Sequence, residues 1–400
     1  MSAKRVLYIS GSLGLGHITR DLAIASQLRK QNPRIEIFWL ASQPASILIK
    51  NAGEKLLPEA DLYANDNIPA EKASKGPLLN IVKYAFKAKK EWDENVEVFK
   101  QVTSKQQYDL VIGDETYEIW IALHKKPGIK KAPFVMIFDF IGLYSMTKNP
   151  LEKLGIYYWN RVWSKVCHRV PSPINLELFV GELEDVPDEK FGFLLPNRLD
   201  WAKARCKFIG YVLPFDPAEY GDQMKVREKL GYGKETLIIC SIGGTSIGKE
   251  LLELCGQAYP IIRKQVPDLR MVLVCGPRLS AESLEVPQGV EVKEYIPDLY
   301  EHFAASDLAI VLGGGTSTLE LTALKRPFLY FPLEEHCEQQ RNVSSRVARH
   351  RAGVKMLFSE TTPECLAEMV ISNLGKKQDY AQISTFGAQK AAELINYHIN

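Results

Sequence analysis

The chain has 400 residues, 50 basic against 48 acidic side chains, and a composition 46% hydrophobic and 24% charged. This is globular composition; it excludes a disordered or fibrous chain and, at roughly 100 to 200 residues per domain, provides for two domains with separate cores. A net charge of +2 supplies no global field for nucleic acid, so a bound anion must be held by a local arrangement of donors.

No run reaches the ~18 to 20 apolar residues of a membrane span. The first apolar burst, Val6 to Ile9, is too short for a secretory leader, so the expectation is a cytoplasmic chain. Seven cysteines without C-x-x-C spacing read as reduced core residues.

Short β-type runs alternate with helical periodicity, which predicts an α/β fold with parallel sheets. Lys4 to Ser10 is the first expected strand, followed by a glycine loop and a helix with Ile18, Leu22, Ala25 and Leu28 on one face. Arg34 to Leu40, Asp109 to Gly113 and Pro133 to Phe140 are further strands, with helices near 78–104 and 151–168. Proline and acidic residues gather between Gly181 and Pro196, and Leu213-Pro-Phe-Asp-Pro217 makes a second break. Beyond it the βα pattern restarts, with strands at Thr236 to Ser241, Arg270 to Cys275, Asp307 to Leu312 and Pro327 to Phe331. The expected domains are 1–212 and 213–377, each doubly wound. Ligands of such sheets sit at the carboxyl ends of the strands, and two such domains imply a cleft between them.

Three loops carry the chemistry. In Gly11-Ser-Leu-Gly14-Leu-Gly16-His17 the glycine spacing is neither a dinucleotide fingerprint nor a P-loop, and the loop delivers His17 to the start of a helix. The positive helix end opposes imidazolium and leaves a neutral ring able to accept a proton. A carboxylate would fix its tautomer, and Asp114, just past a strand, is the candidate. The same pattern also fits a helix-terminus histidine and a turn aspartate. The second loop holds Gly243, Gly244 and Thr245 between strand and helix. The third, Gly313-Gly314-Gly315-Thr316-Ser317-Thr318-Leu319-Glu320, offers backbone N–H groups and a helix dipole to a phosphate. Glu320 could accept from a ribose diol, although Ser317-x-x-Glu320 equally reads as a capping box. Further on, Glu338-Gln339 at a helix start could bind adjacent sugar hydroxyls or be a solvated helix end.

Together these segments resemble the GT-B glycosyltransferases, in particular the UDP-glycosyltransferase superfamily and its relatives that build the lipid-linked cell-wall precursor. Gly14-Leu-Gly16-His17 resembles the loop bearing the catalytic histidine, and Tyr108 to Asp114 the segment whose aspartate pairs with it. Tyr295-Ile-Pro297-Asp298 is similar to the aromatic element beside the nucleobase, Gly314 to Glu320 to the diphosphate and ribose loop, and Glu338-Gln339-x-x-Asn342 to the end of the donor motif. Leu312 stands where plant-type members carry a phosphate-contacting histidine. Arg20 stands where many members have proline, and a His-x-x-Arg loop is shared with UDP-sugar hydrolases of the fold.

The resemblance implies two Rossmann-like domains facing across a cleft, with residues 378–400 forming a helix that returns to the first. It implies an inverting transfer from a UDP-sugar to an acceptor hydroxyl (glycan, lipid or small molecule), His17 acting as base and Asp114 orienting it. Gly14, Gly16 and Arg20 would support the base. Gly243, Gly244, Thr245, Tyr295, Gly314, Gly315, Thr316, Ser317, Glu320, Glu338 and Gln339 would bind the donor. No Asp-x-Asp motif occurs, so no obligatory metal or other cofactor is expected. The alternative is a UDP-sugar hydrolase or epimerase. Basic-aromatic segments at Lys83 to Lys90 and Tyr157 to Lys165 leave open a peripheral membrane contact, against the simpler reading as solvated helix faces.

Overall fold

The computed structural model describes residues 3–11, 15–65, 74–75, 78–79, 81–166 and 171–399. The chain divides into two compact units, one of residues 1–70, 81–214 and 384–400, the other of 71–80 and 215–383.

In the first unit, β1 (Lys4–Ile9) leads into α1 (Gly16–Gln31), β2 (Ile35–Leu40) and β3 (Lys55–Leu56). Two short antiparallel strands within 71–80, β4 (Ser74–Lys75) and β5 (Leu78–Leu79), belong to the second unit; β5 takes the first residues of the stretch expected to be helical, and α2 (Ile81–Lys105) resumes the first unit. There follow β6 (Leu110–Asp114), α3 (Tyr117–Lys125), β7 (Phe134–Phe138), α4 (Pro150–Arg161), β8 (Leu176–Val180) and β9 (Cys206–Gly210). α4 passes into a π-type turn at Val162–Val166. The sheet is seven-stranded and parallel, ordered β3-β2-β1-β6-β7-β8-β9. Its strands read as near-continuous apolar runs because helices cover both faces. In β1, Leu7 and Ile9 enter one core while Val6 and Tyr8 enter the other, the period-2 alternation of a strand.

β8 escaped the sequence reading because Glu177 interrupts its short apolar run. The structure buries that carboxylate against Arg205, 2.8 Å away. α1 likewise buries more than its apolar stripe: Ile24 and the carboxyl of Asp21 also face inward.

The second unit contains β10 (Leu237–Ser241), α5 (Lys249–Arg263), β11 (Arg270–Val274), β12 (Glu291–Lys293), β13 (Leu308–Leu312), α6 (Gly315–Ala323), β14 (Phe328–Phe331), α7 (Ser344–Arg349) and β15 (Val354–Lys355). Its parallel sheet is ordered β12-β11-β10-β13-β14-β15. In each sheet the strand order reverses beside the unit's first strand, β1 against β6 and β10 against β13, which is where such sheets open a binding crevice. The chain then rejoins the first unit as α8 (Gly387–Ile399), which starts later than the expected 378 and packs on α1 through Ala391, Ala392 and Ile395. The described cysteines are free thiols. Among the described residues no helix is long and apolar enough to cross a membrane.

Candidate active site

The switch point of the first sheet gathers a charged cluster. β1 and the loop after it place His17 and Arg20 in the first turns of α1, one turn apart, so both side chains meet the ends of β6 and β7. Asp114 is the last residue of β6 and is fully buried; Glu115 follows it in a left-handed conformation, φ +50°. Asp139 follows β7. Of the loop residues expected to support the base, Gly16 opens α1, whereas Gly14 lies outside the described residues.

Arg20 ties this cluster together. Its Nε and Nη2 donate to the two oxygens of Asp114 at 2.6 and 2.5 Å, and its Nη1 donates to Asp139 Oδ2 at 2.7 Å. Nη2 also lies 2.9 Å from His17 Nδ1. The expected partners lie close together, with Asp114 Oδ1 3.6 Å from His17 Nδ1, while Arg20 takes both Asp114 oxygens at shorter distances. Since a guanidinium N–H can only donate, Nδ1 accepts, and the neutral ring carries its proton on Nε2. Nε2 in turn lies 3.5 Å from Glu115 Oε2, while Tyr117 donates its hydroxyl to Glu115 Oε1 at 2.9 Å.

The four carboxyls are not equivalent. Burial would raise Asp114, but the Arg20 guanidinium holds it well below the usual carboxylate range. Asp139 is likewise brought down to about 2, chiefly by Arg20 against the cost of burial. Glu115 is pushed well up by burial and by the negative charge of Asp139. Asp21 is pushed well up by burial and by Asp114, and it accepts from Tyr8 and Ser10 hydroxyls at 2.9 and 2.5 Å. Arg20 thus favours the ionised form of Asp114 and Asp139, and burial favours the neutral form of Asp21 and Glu115. His17, Glu115 and Asp139 present atoms within 4.8 Å of one another. The Arg20 guanidinium contacts Asp139 in the same cluster. Sequence reasoning passed over Asp21, Glu115 and Asp139; the position of the last two at the carboxyl edge of the sheet was the available signal.

In the second unit the predicted loops follow β10 and β13 at the carboxyl edge of the sheet, and Glu338 lies beside the start of α6. After β10, Gly243 takes a left-handed φ of +82°, and Thr245 Oγ1 accepts from the Ile247 N–H at 3.3 Å. Gly244 lies in the same loop, which packs so closely on the next that a side chain at Gly276 would overlap the Gly243 carbonyl. After β13, Gly314 is the N-cap of α6 with no side-chain cap, and Gly315, Thr316 and Ser317 form the first turn, so their N–H groups lack intrahelical acceptors. Ser317 is thus inside the helix, which removes the capping-box reading of Glu320. Glu320 is only 6% exposed, and burial together with the charge of Asp298 pushes its carboxyl up to about 8. Tyr295, three residues before Asp298, is 38% exposed. Glu338 and Gln339 begin a π-type turn, Glu338–Val343, an element that recurs at functional sites. Gln339 Oε1 accepts from the Leu333 N–H at 2.9 Å. Arg346 of α7, unnoticed in the sequence, donates to the Gly315 carbonyl at 2.6 Å, and both it and Glu338 flank Gly315.

Residues 238–397 match the glycosyltransferase family 28 C-terminal domain. An uncharacterised glycosyltransferase of Methanopyrus kandleri is 25% identical over 190 residues, 47% of this chain, which spans about half (53%) of that protein's length. The UDP-N-acetylglucosamine–N-acetylmuramyl-(pentapeptide) pyrophosphoryl-undecaprenol N-acetylglucosamine transferase of Clostridioides difficile is 22% identical over 98% of this chain and 87% of its own. Among solved structures, the kitacinnamycin glycotransferase superposes with a TM-score of 0.60 over 99% of this chain and 94% of its own, at 15% identity. The chain thus has the GT-B fold, and its residues 238–397 are similar to the C-terminal domain of glycosyltransferase family 28.

Proposed function

We propose that the protein transfers a sugar from a UDP-sugar to an acceptor hydroxyl with inversion at the anomeric carbon. The observation that carries this reading is the start of α6. Uncapped amides of Gly315, Thr316 and Ser317 face a negative diphosphate without surplus lysine or arginine, and the buried Glu320 stands one turn in for the ribose. Tyr295 would border the uracil, Gly243, Gly244 and Thr245 would line the same site, and Glu338 and Gln339 would hold sugar hydroxyls. Charge that develops on the departing UDP is stabilised by the same amides. The acceptor's proton leaves into the cluster around His17, the residue that the sequence singles out as base with Asp114 as its partner. The relatives' names favour N-acetylglucosamine as the sugar.

A lipid-linked acceptor at an anionic bilayer surface fits one face of the first unit. On α4 and the turn after it, Leu151, Lys153, Leu154, Tyr158, Arg161 and Lys165 are all exposed, without an exposed acid between them. Phe193 and Leu194, 80% and 74% exposed, sit in the neighbouring loop, joined to α4 by the Tyr157 hydroxyl donating to the Phe193 carbonyl. An apolar and basic surface of this kind suits lipid headgroups. The side chains of Lys83 to Lys87 in the other basic segment lie outside the described residues. The His-x-x-Arg loop keeps a hydrolase as the second reading.

A melting-temperature screen with UDP-, GDP- and TDP-sugars and NAD tests the donor, with UDP-sugars expected to raise the melting temperature most. Equal UDP release with and without acceptor would favour the hydrolase. Normal turnover by His17→Ala would remove His17 from the reaction as its base.

A further inference from the structure

The expected base, His17, is not free to act as one in this arrangement. Arg20 Nη2 donates to Nδ1 at 2.9 Å, so the neutral ring has its proton on Nε2 and no lone pair to offer there. The atom facing Nε2 is Glu115 Oε2, at 3.5 Å, and the other Glu115 oxygen already accepts from Tyr117. Such contacts are often long in unliganded enzymes and tighten in the reacting complex. Next to Glu115, Asp139 Oδ1 is buried while its Oδ2 is held by Arg20. The carboxyl side of this cluster, where Glu115 also bonds Asp139, therefore has the acceptor atoms, and the imidazole side has the donors.

We propose that Glu115 takes the acceptor's proton, with His17 and Tyr117 donating to its two oxygens and Arg20 acting as the positioning residue that fixes the His17 tautomer. This rests on the transfer reading above. In the step, the acceptor O–H bond breaks and its proton goes to Glu115 Oε2. The freed electron pair forms the bond to the anomeric carbon, and the bond from that carbon to the diphosphate breaks with its pair leaving on UDP. The groups facing Glu115 are Asp139 after β7, Asp114 on β6, Arg20 and His17 on α1 and Tyr117 on α3. Burial and Asp139 push its carboxyl well above the ordinary range, which makes the ionised form a stronger base than an exposed glutamate. Glu115 and Asp139 titrate as a pair, and the working form is the one with both ionised.

The test follows UDP release from UDP-N-acetylglucosamine with water as the acceptor, as a function of pH. Activity should rise through an apparent pKa above that of an ordinary carboxylate. Glu115→Gln should lower kcat by about 10²- to 10⁴-fold and flatten that rise without changing KM for the donor. Glu115→Asp should restore part of it. His17→Gln, which keeps an N–H donor, should cost only about tenfold, the loss of one hydrogen bond to a charged group. Nitrogen-15 NMR reads the tautomer without turnover: Nε2–H in the wild type, shifting toward Nδ1–H in Arg20→Met. A wild-type ring protonated on Nδ1 overturns the proposal. So does near-normal kcat in Glu115→Gln beside a His17→Gln that loses more than a hundredfold. A wild type that releases no UDP and shows no UDP-dependent melting shift overturns the transfer reading instead, and the proposal with it.

Discussion

Asp114 is fully buried and accepts from Arg20 at both oxygens, so each partner is the other's main compensation for leaving water. A buried pair contributes little net stability, but breaking it leaves an uncompensated charge. Asp114→Asn should therefore destabilise the protein by about 3–5 kcal/mol in urea unfolding, and Arg20→Met added to it should recover part of the loss. A double variant no more stable than Asp114→Asn would show that the pair is not coupled. Asp139 gives the matching pH signature. Its folded-state value of about 2 lies below the ordinary 3.8, so its stabilisation is present above the ordinary value and is lost as pH falls toward about 2. The amount is roughly 2 kcal/mol, and Asp139→Asn should remove that part of the acid dependence.

The glycine loop and α6 act as one element. Gly313 approaches Pro332 so closely that an added Cβ would come within 2.5 Å of its Cα, which anchors the loop before the helix begins. The helix then opens without a cap, and Glu320 ends buried inside it. With a folded-state value of about 8 against an ordinary 4.5, Glu320 makes the unliganded protein lose stability as pH rises between those values. A ribose diol donating to the ionised form reverses this preference. UDP affinity should thus weaken up to about tenfold for each pH unit below 8, with proton release on binding seen by calorimetry in buffers of different ionisation enthalpy. Glu320→Gln should bind UDP more weakly and show no such pH dependence. An unchanged pH slope in that variant would mean that Glu320 does not meet the ribose.

At the scale of the whole molecule, near-neutral charge makes local faces decisive. The exposed face of α4 with Phe193 and Leu194 is the candidate for a bilayer. Co-sedimentation should be stronger with vesicles containing phosphatidylglycerol than with phosphatidylcholine alone. Leu154→Glu with Phe193→Glu should reduce it severalfold while leaving the melting temperature unchanged, since both side chains are mostly solvated in the fold. Equal binding to both vesicle types would dismiss the face as a membrane contact.

Much of this architecture was legible because it is written in periodicity. Apolar runs such as Leu110 to Ile112 and Leu308 to Leu312 read as strands buried on both faces, and the glycines after β10 and β13 mark where the backbone turns at the sheet's edge. β8 was not legible, because Glu177 reads as a solvent residue until Arg205 arrives from a later helix. The same limit applies to the site. The sequence by itself determined that His17, Asp114 and the Gly313–Gly315 loop stand at strand ends, since local pattern places them there. Only the tertiary structure decided that Arg20 joins Asp114 beside the imidazole, that Glu115 faces its Nε2, and that Glu320 is buried rather than capping. Hydrogen-bond partners and carboxyl protonation depend on distances and burial between distant segments, which spacing along the chain does not encode.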